Sequence, residues 1–184
     1  MDRDQCRLAV ILAATADTDK NTPQTERRLE LTGSWIERIT DSYGGNVLRA
    51  EADTFLTEFP SAQSAVQAAI ALQQRLAREP AALPIGIGVQ LGDIWFVGGQ
   101  LLGDVVEEAQ RLQHLASPGG ICVSSAVLEQ VQGRIEISFE STGKADLGDL
   151  NRTVEVYRVH PPAGEPIAGP HAGRSKDTSP FDEP

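Results

Sequence analysis

Cysteine, histidine and positive charge are all scarce in this chain. The two cysteines, Cys6 and Cys122, are too few for a disulfide framework. They read as reduced thiols of a cytoplasmic protein, with Cys122 in the core. His114, His160 and His171 are scattered, and no pair has metal-ligand spacing. There are 16 Lys and Arg against 26 Asp and Glu, a formal net charge of -10. That balance excludes nucleic acid and anionic membrane as partners, because both need basic patches to neutralise phosphate. No apolar run approaches the roughly 18 residues of a membrane span. The opening MDRDQCR lacks the apolar region of a signal peptide. A GxGxxG after the first apolar run, a Walker A loop, a nucleophile elbow and HExxH are all missing. Dinucleotide, P-loop, esterase and zinc-protease chemistries lose their usual signatures with them. There are no internal repeats.

What is present suits one α+β domain. Hydrophobic residues make up 40% of the 184, enough for a core. The domain is expected over 1–160. The segment 161–184 changes to proline, glycine and charge without periodicity, so it is expected to be a disordered tail or linker. RLAVILAAT at 7–15 predicts a strand buried on both faces. Thr22 and Pro23 predict the cap and first position of a helix carrying Leu29, Trp35, Ile36 and Ile39, ending near Tyr43. A hairpin follows, with arms at 46–52 and 54–59. Ser61 predicts the cap of a second helix striped by Ala65, Ala69, Leu72 and Leu76. The stretch 84–97 is β-rich, with Gly92-Asp93 expected as a turn or bend and Gly98-Gly99 as a second turn. A third helix is expected over 104–116, a strand over 121–124, a short helix over 125–131, and last strands at 135–139 and 154–159. The order β-α-β-β-α-β, then a helix and strands, predicts a ferredoxin-like split βαβ core. Its sheet is antiparallel-rich and covered by helices.

Within the hairpin, RAEADTFLTEF places one carboxylate, Asp53, at the tip. Taken alone it is a turn residue, since aspartate favours such tips. Arg49 has Glu51 and Asp53 as ordinary surface partners. On the third helix Asp104, Glu107, Glu108 and Arg111 stand at i, i+3, i+4 and i+7, one face with i,i+4 pairing available to Glu107 and Arg111. Trp35 and Trp95 read as core or interface residues, and His114 as solvent-facing.

Several stretches together resemble the catalytic domain of class III nucleotidyl cyclases: RLAVILAA, GGNVLRAEADTFLTEFPSAQSAVQAAIALQ, IGIGVQLGD, LLGDVVEEAQRL, SPGGICVSSAV and VEVYRV. The resemblance covers about 7–159. It implies adenylate or guanylate cyclase chemistry on ATP or GTP, in a homodimer with sites at the subunit interface. Two aspartates of one subunit would hold Mg²⁺ or Mn²⁺. Base-reading residues, an asparagine and an arginine would come from the other. By this register the hairpin metal aspartate is Asp53, and the first metal aspartate falls on Thr15. The base-reading lysine falls on Arg49 and the second base-reading position on Asp104. The ribose-orienting asparagine falls on Glu107, and the transition-state arginine is Arg111. Ala52 and Thr54 replace the small residues that usually flank the hairpin aspartate.

These departures fall on the chemistry rather than the framework. A threonine hydroxyl is a far poorer Mg²⁺ ligand than a carboxylate. Asp17 is the candidate substitute, with Asp19 beside it. In an extended chain Asp17 lies about 6–7 Å beyond Thr15. Glu107 puts a carboxylate beside a triphosphate, and arginine at position 49 is forked and always charged where lysine is a point charge. The expectation is a degenerate signalling domain with little or no cyclase activity. The alternatives are a weak or unusual Mn²⁺/Mg²⁺-dependent adenylate cyclase completed by Asp17 or Asp19, and the regulatory half of a cyclase heterodimer.

Overall fold

From Ala9 to Ala14, β1 (Gln5–Ala16) buries side chains alternately on its two faces. Val10, Leu12, Ala14 and Ala16 enter one apolar cluster, and Ala9, Ile11 and Ala13 another. The doubly buried strand expected from its unbroken apolar run is therefore an interior strand of the sheet. The computed structural model of the chain describes residues 5–16, 18, 22–51, 53–98, 100–147 and 153–161. The expected tail, apart from Pro161, lies outside the described residues, as do Asp17 and Asp19.

β1 leads to α1 (Pro23–Ser42), then to the hairpin β2 (Asn46–Glu51) and β3 (Thr54–Phe59). Thr22 caps α1, its hydroxyl accepting from the Thr25 N–H at 3.2 Å, and Pro23 opens the first turn. α2 (Ala62–Ala77) is capped by Ser61, which accepts from the Ser64 N–H at 3.0 Å. β4 (Ile85–Val97) and β5 (Gln100–Leu102) form a second hairpin, followed by α3 (Asp104–Leu115), β6 (Ile121–Ser124), α4 (Ser125–Val131), β7 (Ser138–Asp146) and β8 (Thr153–His160). The sheet order is β2-β3-β1-β4-β6-β8-β7, with β5 beside β4. Only β4 and β6 pair in parallel among the described strands. β4-β1-β3-β2 is the ferredoxin-like core, and β6, β8 and β7 extend it beyond β4.

α1, α2 and α4 cover one face over Ile36, Ile70, Leu72, Val89, Val123 and Val127. The Arg75 guanidinium lies 3.8 Å from the Trp35 ring centroid, joining α2 to α1. α3 covers the other face, over Ala9, Ile11, Leu56 and Ile94. It lies very close to β4. A Cβ on Gly88 would stand 2.2 Å from the Ala109 carbonyl oxygen and 2.3 Å from the Gln113 nitrogen, and one on Gly92 would stand 2.9 Å from Val105 Cβ.

This packing corrects two expectations. Gly92-Asp93 is not a turn, because β4 runs unbroken through both residues. Its glycines alternate along one strand face to admit a helix backbone, a demand that sequence spacing alone confuses with turn chemistry. Nor does the strand expected over 135–139 start at Ile135: Ile135 and Ile137 pack on the core ahead of it, and β7 begins at Ser138. β5 was not expected. It is three residues long, below the length at which alternation is readable.

Candidate functional site

The end of β1 and the hairpin tip meet. Thr15 pairs across the ladder with Thr54, and the Ala16 N–H donates to the Asp53 carbonyl at 2.9 Å. Alternation turns Thr15 to the same side as Ala9, Ile11 and Ala13, the face covered by α3. The Asp53 carboxylate accepts weakly from two hydroxyls, Thr18 at 3.4 Å on one oxygen and Thr54 at 3.3 Å on the other. The fold thus brings Thr15 and Asp53 together. The described groups that touch the Asp53 carboxylate are neutral hydroxyls, with Thr15 beside them on the ladder.

That donor set does not fit a two-metal centre. Mg²⁺ needs near-octahedral oxygen ligands at about 2.0–2.1 Å, usually with one or two carboxylates. Among the described residues, no group of three or more His, Cys, Asp or Glu is placed to hold a metal ion.

Arg49 sits on β2 after an irregularity in the β2–β3 register. It pairs with Glu51 at 3.8 Å, both side chains being largely exposed. Such a pair contributes about 0–1 kcal/mol and yields readily to another anion. A cavity of about 390 Å³ opens beside Arg49, and its far wall is Gln100 and Leu101 of the β4–β5 hairpin. Gln100 is a group the sequence reading missed. Its amide can donate and accept, as a base edge requires. The signal lay only in the second hairpin, which folds Gln100 back towards Arg49.

Asp104 lies elsewhere. Gly103 precedes it with φ +146° and leaves the start of α3 without a side-chain cap. A Cβ on Gly103 would meet the Asp93 carbonyl oxygen at 2.5 Å, so glycine is required at this junction. Asp104 is exposed and lines a cavity of about 340 Å³ with Asp93, Trp95, Glu108 and Ser125. Glu108 turns inward. Its carboxylate accepts from Gln90 Nε2 at 2.9 Å, and Gln90, only 4% exposed, in turn accepts at Oε1 from the Ser124 hydroxyl and the Leu91 N–H. Ser124 also caps α4 through the Val127 N–H at 3.4 Å. Glu108 therefore belongs to a buried seam joining α3, β4 and α4, and leaves the shared helix face. Glu107 is exposed and Arg111 half-buried, and the two do not pair among the described residues.

Within one chain these groups fall into two sets. Val105 packs at Gly92, and Gln113 and Ala116 pack at Gly86. Thr15 lies opposite Gly86 on β4. Gly86 and Gly92 are six strand residues apart, about 20 Å. Asp53 and Thr15 are thus at the far end of β4 from Asp104, and a single copy does not bring the two sets into one site. His114 is exposed, as expected. No described helix is long and apolar enough to cross a membrane.

The chain matches no family model. It is 34% identical over 171 residues, 84% of this chain, to a Rhizobium meliloti protein named "Putative adenylate cyclase 3". It spans 28% of that relative's length. Among solved structures, an adenylate/guanylate cyclase/hydrolase from Silicibacter pomeroyi superposes with a TM-score of 0.80 at 27% identity, over 87% of this chain and 100% of that one. The adenylyl cyclase CyaB from P. aeruginosa superposes with a TM-score of 0.75 at 18% identity, over 87% of this chain and 97% of that one, a likeness of fold.

Proposed function

The chain is a domain of the class III adenylate/guanylate cyclase catalytic type, and from that premise we propose that it is a degenerate member with little or no cyclase activity of its own. The observation that carries this reading is that the described hydrogen-bond partners of the Asp53 carboxylate are neutral. Its carboxylate meets the hydroxyls of Thr18 and Thr54, and Thr15 stands where the resemblance implies a second metal carboxylate. A single carboxylate beside neutral hydroxyls is a poor anchor for two divalent ions and a triphosphate. Glu107 adds negative charge where a neutral amide is implied.

Nucleotide binding and dimerisation are retained in this reading. Arg111 makes no ion pair among the described residues, so it is available to a phosphate. Arg49 and Gln100 share a cavity open to a purine edge. Trp95, Val97 and Leu102 are 41%, 42% and 48% exposed on the β4–β5 hairpin, an apolar patch that suits a second copy. A homodimer would join the Asp53 end of one copy to the Asp104 end of the other, which lie apart within one chain. The free buried thiol of Cys122 suits the reducing cytoplasm.

The test is mass-spectrometric detection of cyclic AMP and cyclic GMP from ATP or GTP with Mg²⁺ or Mn²⁺, beside Asp53→Ala. The expected result is no product that depends on Asp53. Product that disappears in Asp53→Ala overturns the reading, and loss of that product in Asp17→Ala would identify the second ligand.

A further inference from the structure

The helix layer over α1 and α2 stops short of the sheet edge. β2 is the edge strand beyond β3, and only Leu48 along it is better than exposed. Between α1 and this edge runs a trough of about 460 Å³. Its apolar lining includes Leu29, Gly33 and Phe55, and its rim on α1 is Glu26, Glu30 and Glu37. The three glutamates stand at i, i+4 and i+11, one stripe along the helix. They span 11 residues, about 16 Å of axis. All three are exposed, and their carboxylates have no hydrogen-bond or ion-pair partner among the described residues. Gly33 sets the close approach at the centre, where a Cβ would stand 3.2 Å from the Phe55 ring.

We propose that this trough docks a basic amphipathic helix of a partner protein, laid beside α1 over the β2 edge. The occupant is helical because the free place is the next one in a helix layer, where neighbours pack at about 8–10 Å and bury one apolar stripe. It is basic because three carboxylates in a row have no cation opposite them among the described residues. Apolar residues of the incoming helix cover Leu29 and Ala50 above the buried Phe55, and Lys or Arg on its flanks meet the glutamates. A second copy of this chain is the wrong occupant for this place: it carries the same net charge of -10 and would bring a like field to an acidic rim. The inference is independent of whether Asp53 supports catalysis.

The probe is a fluorescein-labelled peptide of about 15 leucines and lysines with all leucines on one helical face, long enough to hold a helix on docking. Anisotropy is read with the full chain at about 150 mM salt, where distant charges are screened. The control peptide has the same composition in scrambled order. Glu26→Gln/Glu30→Gln/Glu37→Gln should weaken binding about tenfold or more, as expected for three facing charges. Glu136→Gln/Glu140→Gln/Glu155→Gln, which removes as much charge on the other side, should change it by less than about twofold. The amphipathic peptide should protect amides of 26–37 from exchange, and the scrambled peptide should bind about tenfold more weakly. The proposal is overturned by absence of binding, by equal weakening in both triple variants, or by equal binding of the two peptides.

Discussion

The two faces of the sheet are buried by different means. Under α1, α2 and α4 the space is filled by side chains, with Ile36, Val66, Ile70, Ile87 and Val89 fully buried among one another. Where α3 crosses β4 the space is closed by absence of side chains. Gly86, Gly88 and Gly92 let the helix backbone descend onto β4, and a single polar residue, Gln90, occupies the remaining place in the row. Removing atoms should damage the first face and adding them the second. The difference bears on function, because Asp104, Glu107 and Arg111 ride on α3. Their positions are fixed by backbone contact, which leaves little room for drift.

The sharpest way to break this comparison is Gly88→Leu. Any Cβ there collides with backbone atoms of α3, which cannot rotate away. The expected loss exceeds the roughly 1–3 kcal/mol of ordinary overpacking, and the variant should fail to give a cooperative urea transition. Ile70→Ala on the other face should cost about 2–5 kcal/mol through its cavity while keeping a cooperative transition. If Gly88→Leu proved the milder of the two, α3 would not be seated on glycine and the contrast would collapse.

A smaller effect tests the polar seam. Glu108→Ala removes the acceptor of the buried Gln90 amide, which should cost about 1–3 kcal/mol. Asp104→Ala, one turn away and exposed, should stay within about 0.5 kcal/mol. Urea midpoints of the two variants measure the difference. Equal losses would mean that Glu108 is only another member of the exposed helix face, as its spacing first suggests.

Much of the frame was legible because its signals are local. Thr22-Pro23 and Ser61 are caps whose chemistry is contained in three or four residues, and both helices start where these residues place them. RLAVILAAT is too continuously apolar for a half-exposed strand, and β1 is buried on both sides. The misread places are those where a residue serves something distant in sequence. Gly92 makes room for Val105, and Glu108 is committed to Gln90, 18 residues earlier. Gln100 reaches Arg49 only because β5 folds back. The neighbourhood of Thr15 and Asp53 was readable from the family register. Its neutral hydroxyl shell was only half so, since Thr18 contributes from beyond the strand.

The smallest expected effect compares the faces through their buried acids. Cys122 lies on the α3 side with Leu112, Ala116, Leu147 and Val156, and Tyr43 on the other side with Ile36 and Phe59. Burial raises the Cys122 thiol above its ordinary value of 9.0, with Arg158 pulling the other way, and burial raises the Tyr43 phenol above 10.0. Both groups are therefore protonated more readily in the folded chain than in the unfolded one. The stability each contributes is present below its unfolded value and is lost as pH rises through the raised folded value. The α3 side should feel alkali first, from about pH 9, and the α1 side only from about pH 10. Urea midpoints of the parent chain and Cys122→Ala, measured from pH 8 upward, read the first step. The parent should lose stability relative to the variant as pH passes about 9. Curves that stay parallel to pH 10 would show that the thiol is no more protected than in the unfolded chain, and that the α3 side is open to water at Cys122 despite its close backbone packing.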